Sequence, residues 1–244
     1  MDQARPGPRT SVIIATKNSG PYIRECLASV MSQTVLPKEI ILVDAASDDE
    51  TLEIAAEYPL ARVIQQVGKG FSGAWNEGIA ASRGEFLAFI DSDDCYTPRK
   101  IERQEALLDA DPNALGSIGF VRHFADPGEE LPPSFNTDLL NSDKIAWMPG
   151  TLMARRALFE RVGLWPENQV VAADADWFVT LRDKKIPMAV CEERLLNKRV
   201  HGANLSYSTT SNPAYAREFI QLLHASVKRK RAAASEGNDP EQKA

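Results

Sequence analysis

The sequence predicts an α/β protein built on a parallel sheet with helices on both faces. In the first hundred residues, short apolar segments alternate four times with segments of helical periodicity. Residues 86–90 form an almost uninterrupted apolar run, which is typical of a strand buried on both faces. This alternation indicates parallel strands joined by right-handed crossovers.

A local sequence signal predicts each strand and helix of this first half. The apolar runs at 11–16, 39–44 and 61–67 are predicted strands. Pro21 stands where a helix can begin, and apolar residues recur after it at helical spacing. Ser47 is followed three positions later by Glu50, which is the pattern of a capping box and predicts that the second helix starts there. A glycine-rich turn at 68–73 precedes a third helix, which runs through about residue 82.

The second half is less regular. We predict helices at 99–109, 157–162, 174–184 and 214–231, strands at 118–124 and 188–191, a strand and turn at 147–155, and a loop at 126–136. Residues 1–225 are expected to form one domain made of two halves, 1–110 and 111–225. Residues 226–244 are polar and are predicted to be a disordered tail.

The composition argues against several classes of protein, namely nucleic-acid-binding, secreted and membrane-spanning proteins. A net charge of −6 argues against a nucleic-acid partner, since a basic surface is needed to neutralise phosphates. Three widely spaced cysteines fit a reducing compartment, and the polar start of the chain is not a signal peptide. With no run of 18 apolar residues, we predict a cytoplasmic protein without a membrane span. The basic run Lys228–Arg231 is a solvated helix face or, alternatively, a peripheral contact with anionic lipid.

Three carboxylates follow the buried strand at 86–90: Asp91, Asp93 and Asp94. Carboxylates this close repel one another unless a cation or strong donors lie among them. Oxygen ligands of this kind suit Mg²⁺ or Mn²⁺, which often bridge to phosphate oxygens. Ligands of open α/β sheets bind beyond the carboxyl ends of the strands. The sequence therefore predicts a metal and phosphate site here, and the alternative is a solvated acidic turn.

Other candidate residues also follow predicted strands or begin a helix. Thr16, Asn18 and Asp44 would reach the same sheet edge, although Asp44 is equally suited to start a helical turn. Either Asp174 or Asp176 could be a general base, but residues two apart do not share a helix face. The late polar cluster offers metal or phosphate contacts, against a purely structural role, and it comprises Arg199, His201, Asn204 and Ser206.

A glycine motif gives a rival interpretation. Gly68, Gly70 and Gly73 have the Gly-x-Gly-x-x-Gly spacing of a dinucleotide site, with Asp91 at the end of the next strand. The motif comes after two complete strand–helix units, whereas a dinucleotide fold carries it at the first turn. A ribose needs one acid, whereas three occur here. An NAD-type oxidoreductase is the alternative function, and a plain tight turn is the simpler explanation of the glycines.

Together these residues resemble glycosyltransferase family 2, the inverting nucleotide-sugar transferases with the GT-A fold. The resemblance covers residues 11–206 and is most specific in the first hundred. It is carried by Ser-Val-Ile-Ile-Ala-Thr-Lys-Asn at 11–18, by Ile-Leu-Val-Asp at 41–44 and by Ala-Trp-Asn-Glu-Gly at 74–78. The strand and Asp-x-Asp motif at 84–94, the segment 176–182 and the basic segment 199–206 complete it.

The resemblance implies a Rossmann-like, mixed and mainly parallel sheet flanked by helices, with a nucleotide-sugar-binding half at 1–110 and an acceptor-binding half at 111–225. It also implies the role of each candidate. Asp176 is the implied catalytic base, and Asp93 and His201 are the implied ligands of Mg²⁺ or Mn²⁺. The implied donor contacts are Thr16, Asn18, Asp44, Asn76, Asp91 and Arg199. The donor would be a UDP or GDP sugar, and the acceptor could be a glycan, a lipid-linked sugar, a peptide or a small molecule.

The sequence departs from the family pattern at three positions. Ala45 stands where a second acid is usual, Ala46 where glycine is frequent, and Ala175 where Glu often precedes the base. Ala45 and Ala175 support a further alternative, which is a nucleotide-sugar-binding module without catalysis. We also expect that Trp147, Trp165 and Trp177 supply a face for a sugar or acceptor ring, with core packing favoured for at least one of them. The loop at 126–136 is expected to cover the site when donor is bound.

Overall fold

The fold was analysed in a computed structural model, which describes residues 7–133, 135–167, 173–202 and 204. The strands of the described part are β1 (Thr10–Thr16), β2 (Glu39–Asp44), β3 (Ala61–Gln65), β4 (Phe86–Asp91), β5 (Cys95–Tyr96), β6 (Gly116–Phe124), β7 (Lys144–Ala146), β8 (Met153–Arg155) and β9 (Met188–Arg199). Its α-helices are α1 (Gly20–Met31), α2 (Thr51–Ala56), α3 (Gly70–Ala81), α4 (Lys100–Ala110), α5 (Arg156–Val162) and α6 (Ala173–Asp183). Short 3₁₀ turns lie at Thr137–Leu140 and Pro149–Thr151.

The strands form one mixed sheet in the order β3-β2-β1-β4-β8-β6-β9-β5, with β7 added beside β6. The pairings among β1, β2, β3 and β4 are parallel, as is the long pairing of β6 with β9. Strand β8 runs antiparallel to both β4 and β6 and joins the two parallel groups. The predicted mixed, mainly parallel sheet flanked by helices is confirmed.

Two apolar layers cover the sheet because the middle positions of its central strands are all apolar. Alternate residues of β1, β2 and β4 face α1, α2 and α4 on one side. The intervening residues face α3, α5 and α6 on the other. Trp165 and Trp177 lie inside this second layer at 1% and 3% exposure, so the structure agrees with core packing for at least one tryptophan. Trp147 is 37% exposed, and its contact with a sugar or acceptor ring stays a prediction.

Most predicted elements of the first half agree with the structure, but the second helix does not begin at Ser47. It begins at Thr51 and has no side-chain cap from Ser47. The carboxylate of Asp49 accepts the Thr51 backbone N–H instead, at 3.0 Å. The oxygen of Ser47 already accepts the Asn18 backbone N–H at 2.9 Å, and its hydroxyl donates to Asp44. The capping pattern thus failed because a backbone N–H from another loop uses the Ser47 oxygen.

Strand β9 is far longer than the predicted strand at 188–191. It runs for 12 residues because β6 and β5 pair with it on either side, while a register shift near Phe120 bends the β6 ladder. Its outer half is charged, and no apolar run marks it in the sequence. The predicted final helix at 214–231, the basic run Lys228–Arg231, Ser206 and the tail lie outside the described residues. None of the described helices combines the length and apolar character needed to cross a membrane.

Lys100 is fully buried on α4, and the groups around its ammonium are the neutral side chains of Gln104 and Tyr96 and the Leu152 carbonyl. Its Nζ donates to Gln104 Oε1 at 2.6 Å and lies 4.4 Å from the centre of the Tyr96 ring. Burial lowers the pKa of Lys100 to about 7. An unfolded lysine titrates near 10.4, so between pH 7 and that value the unfolded chain binds the extra proton. Rising pH therefore stabilises the native state through this residue.

We expect Lys100→Met to remove this pH dependence. As pH rises from 7 to 9, wild type should gain about 2 kcal/mol of unfolding free energy relative to the variant. Urea denaturation at several pH values measures the difference. Lys38→Met, an exposed lysine at the start of β2, is the control, and its curve should run parallel to wild type. Parallel curves for Lys100→Met would contradict a buried, proton-releasing lysine.

Candidate active site

The carboxyl ends of β1, β2 and β4 meet at one edge of the sheet. In the parallel registers Thr16 lies beside Asp44, and Ala15 lies beside Asp91. The loops that follow these strands are also joined to one another. Ser19 accepts from the Thr16 hydroxyl at 3.0 Å, and its Oγ lies 2.7 Å from Ser92 Oγ. The structure thus brings these predicted strand-end residues to a common crevice.

Asp44 and Asn18 shape the loop at the β2 end. Asp44 is 1% exposed, and its carboxylate accepts from both the backbone N–H and the hydroxyl of Ser47. Asn18 Oδ1 accepts the Asp48 N–H at 3.0 Å, which holds the same loop from the β1 side. Ala46 has a left-handed φ of 58°, a conformation that glycine adopts without strain. The loop is therefore held in an unusual turn by the two side chains predicted to hold a nucleoside.

The carboxylates of Asp91, Asp93 and Asp94 each offer an oxygen within 4.8 Å of the others. The structure supplies a cation among them that the sequence interpretation missed. Lys198 Nζ lies 3.2 Å from Asp91 Oδ2 and 3.3 Å from Asp94 Oδ2. Strand β5 directly follows the acidic turn, and its pairing with β9 brings Lys198 close to the acids. A lysine in a polar sequence stretch gives no signal of this burial.

Burial and charge act in opposite directions in this cluster. Burial raises the pKa of Asp91, and the Lys198 ammonium opposes that rise. Burial disfavours the charged form of Lys198, but the carboxylates of Asp94, Asp91 and Asp93 raise its pKa well above the usual value. For Asp93, burial would raise the pKa, but the hydrogen bond to His201 and the charge of Lys198 lower it overall. Lys198 is therefore a charged lysine at neutral pH.

Asp93 faces away from Lys198 and toward the end of β9. Its Oδ2 lies 3.0 Å from His201 Nε2 and accepts from Asn204 Nδ2 at 2.9 Å. The ring of Tyr22 stacks on His201 with centroids 4.6 Å apart. Adjacent ligands of an octahedral ion with bonds of about 2.1 Å lie roughly 3 Å apart. The separation of Asp93 Oδ2 and His201 Nε2 thus fits two adjacent positions on Mg²⁺ or Mn²⁺.

Arg199 lies beside this site but is engaged by protein groups. Its guanidinium forms ion pairs with Asp126 and Glu25, and its Nε donates to the Asp93 carbonyl at 3.0 Å. It is 2% exposed. The sequence interpretation missed both acidic partners, which lie far from Arg199 in the chain. Arg199 thus fixes the acidic turn to β9, and its predicted contact with the donor stays a prediction.

Asn76 is likewise engaged on α3. Its amide donates to the carbonyl of Trp165 at 2.9 Å and to Glu167, and it accepts the Trp165 N–H. These bonds join α3 to the segment after α5. Asn76 therefore has a structural task in the second apolar layer, and its predicted donor contact also remains a prediction.

The glycine motif is arranged unfavourably for a dinucleotide. The backbone N–H groups of Val67 and Gly68 donate to the carboxylate of Glu77, and helix α3 begins at Gly70. A phosphate approaching these donors would meet a negative charge already in place. A Cβ at Gly73 would lie 2.9 Å from the Gly68 backbone, so close packing explains that glycine.

The two candidate bases lie in the first turn of α6. Burial raises the pKa of Asp174, and the negative charge of Asp91 adds to the rise. The negative charge of the acidic cluster therefore contributes to the raised pKa of Asp174. Asp176 is not a free carboxylate, because it interacts with another group of the described structure. Because residues two apart project from different faces of a helix, the two carboxylates have different environments.

Comparison with known proteins gives one consistent family. The model for glycosyl transferase family 2 matches residues 11–170. EpsJ of Bacillus subtilis (strain 168), an uncharacterized glycosyltransferase, is 31% identical over 184 residues, which are 68% of this chain and 54% of EpsJ. The chain thus spans about half the length of that relative.

Solved structures share the fold. A crystal structure of S. aureus TarS 1–349 in complex with UDP-GlcNAc matches with a TM-score of 0.67 and 22% identity, over 91% of this chain and 66% of that one. Glucosyl-3-phosphoglycerate synthase from Mycobacterium tuberculosis, in complex with Mn²⁺, UDP and glucosyl-3-phosphoglycerate, matches with a TM-score of 0.63 and 20% identity, over 90% and 80% of the two chains. These matches confirm the predicted fold class.

Proposed function

The chain belongs to glycosyltransferase family 2, and from that premise we propose that it is a metal-dependent, inverting glycosyltransferase. It would move a sugar from a nucleoside-diphosphate sugar to an acceptor that the site does not identify. The observation that carries the proposal is the pairing of Asp93 with His201 at the strand edge where Asp44 and Asn18 shape a loop. The Mn²⁺ and UDP complexes of the structural neighbours support the same ligands here.

The donor's nucleoside would lie over the loop that follows β2. Asp44 and Thr16 are buried and act chiefly by fixing the backbone around it, while Asn18 braces it from the other side. Asp91 keeps a side chain that is 27% exposed, so it is the donor-side carboxylate best placed to meet a ribose. UDP is the first nucleotide to test because it occurs in both neighbouring complexes, and GDP is the second.

Asp93 and His201 would hold Mg²⁺ or Mn²⁺, and Asn204 and the stacked Tyr22 ring would orient them. When bound, such an ion stabilises negative charge on a departing diphosphate. The neighbouring hydrogen bonds keep Asp93 ionised and fix the His201 ring, so little reorganisation is needed for ligand binding.

Asp176 is the proposed general base, by its resemblance to the family's base segment. It would accept the proton of the acceptor hydroxyl as that oxygen attacks the anomeric carbon from the face opposite the diphosphate. One displacement of this kind inverts the anomeric configuration. Asp174 is the competing candidate, because burial and Asp91 raise its pKa toward the range that favours proton acceptance.

We further propose a cytoplasmic location, which rests on Cys26, Cys95 and Cys191 being free thiols. The net charge of −6 favours the absence of a nucleic-acid partner. A binding module without catalysis is the remaining alternative, and hydrolysis of a UDP sugar in the presence of Mn²⁺ would exclude it.

We expect Asp93→Asn to weaken Mn²⁺-dependent binding of UDP at least about tenfold, because the variant loses a charged metal ligand. Calorimetry with UDP, GDP and NAD, each with Mn²⁺ or EDTA, measures the effect. The control is Asp111→Asn, an exposed acid just after α4, which should bind as wild type does. Unchanged Mn²⁺-dependent binding by Asp93→Asn would refute the metal assignment, and tighter binding of NAD than of UDP or GDP would revive the oxidoreductase.

We expect Asp176→Asn to lower turnover of the donor by roughly 10²–10⁴-fold and to leave nucleotide affinity unchanged, since a positioned base acts on the chemical step. Donor hydrolysis and calorimetry provide the two readouts. Asp174→Asn is the matched variant, with the same change two residues away, and its turnover should stay close to wild type. The reverse result, with loss only in Asp174→Asn, would transfer the role of base to Asp174.

A further inference from the structure

Lys198 is a cation within the acidic cluster, and it forms ion pairs with two of the three carboxylates. Lys198 Nζ lies 3.2 Å from Asp91 and 3.3 Å from Asp94, and its side chain is only 9% exposed. Asp94 is 0% exposed, and its other oxygen accepts the backbone N–H of Arg199 at 2.9 Å. Asp94 is thus fully committed to groups of β9.

The third acid is directed elsewhere. Asp93 pairs with His201 and Asn204, and its side chain is 21% exposed. An arriving divalent ion therefore meets one carboxylate that Lys198 does not hold, together with one imidazole, although three carboxylates lie within 4.8 Å of one another. It also meets the fixed positive charge of Lys198, which repels it.

Such a ligand set binds a divalent ion weakly without further help. Mg²⁺ in particular is usually held by one or two carboxylates together with substrate phosphates. The diphosphate of a donor would add negative charge and oxygen ligands on the open side of Asp93. It would offset the repulsion by Lys198 at the same time.

We propose that Lys198 is a positioning residue that makes divalent-metal binding depend on the nucleotide diphosphate. By holding Asp91 and Asp94, it prevents these acids from gathering around an ion, and its charge weakens ion binding in the absence of nucleotide. This inference rests on the proposed function, because it requires that metal and nucleotide share the site. Binding of each ligand must then strengthen binding of the other by the same factor.

The test is Mn²⁺ affinity, measured by electron paramagnetic resonance with and without UDP. For wild type we expect UDP to tighten Mn²⁺ binding at least about tenfold. For Lys198→Met, Mn²⁺ alone should bind about tenfold more tightly, and the factor contributed by UDP should shrink, because one repelling charge is gone. Lys198→Arg preserves the charge and should keep a large UDP factor. Lys38→Met, an exposed lysine at the opposite edge of the sheet, should match wild type.

Asp94→Asn gives an independent test with the opposite sign. It leaves Lys198 with one acid partner in place of two but keeps an oxygen to accept the Arg199 N–H. The lysine charge is then less offset, so Mn²⁺ alone should bind more weakly than in wild type. This variant decides the question even if Lys198→Met does not fold, which thermal melting in EDTA would reveal.

The outcomes separate the two proposals. If UDP tightens Mn²⁺ binding in wild type but the Lys198 and Asp94 variants bind Mn²⁺ alone as wild type does, Lys198 is only a structural ion pair and the inference is overturned. If UDP does not affect Mn²⁺ binding in wild type, the proposed shared site fails, and this inference fails with it.

Discussion

The buried ion pair between Asp94 and Lys198 joins the two halves of the protein. Asp94 belongs to the turn that leaves the first parallel group of strands, and Lys198 belongs to the last strand, which pairs with the second group. Arg199 strengthens this connection through the Asp93 carbonyl and the acids Asp126 and Glu25. Breaking one partner of such a buried pair leaves an uncompensated charge, which is far more costly than losing an exposed pair. The position of His201 over Asp93 depends on this connection.

The first half of the fold could be predicted because its strands are buried on both faces. Runs such as residues 86–90 are apolar at every position, and the helices between them show one apolar face. The outer half of β9 gave no such signal. Charged residues interrupt its apolar pattern, since Lys198 and Arg199 bind the acidic turn, and the ladders of β5 and β6 hold it as a strand. Pairing partners distant in sequence decide this strand, and a local pattern cannot contain that information.

The candidate site, like the fold, could be predicted from the sequence only in part. Asp93 and His201 could be proposed from residue type and from resemblance to a family, and the structure brings their side chains within 3.0 Å. The sequence indicated that a cation or strong donors must lie among the three acids. It could not identify that cation as Lys198, which is one of many lysines in the sequence. Asn76 and Arg199 show the converse limit. Their residue types suit a donor contact, but the structure reveals that protein groups already use their polar atoms.

The central claim is that Asp93 and His201 hold the ion while Lys198 keeps Asp91 and Asp94. It is tested most directly by anomalous diffraction at the manganese edge from crystals grown with Mn²⁺ and UDP. We predict one peak within about 2.3 Å of a carboxylate oxygen of Asp93 and of His201 Nε2, with Lys198 still paired to both other acids. A peak between Asp91 and Asp94 with Lys198 displaced, or bound UDP with no manganese peak, would contradict this account.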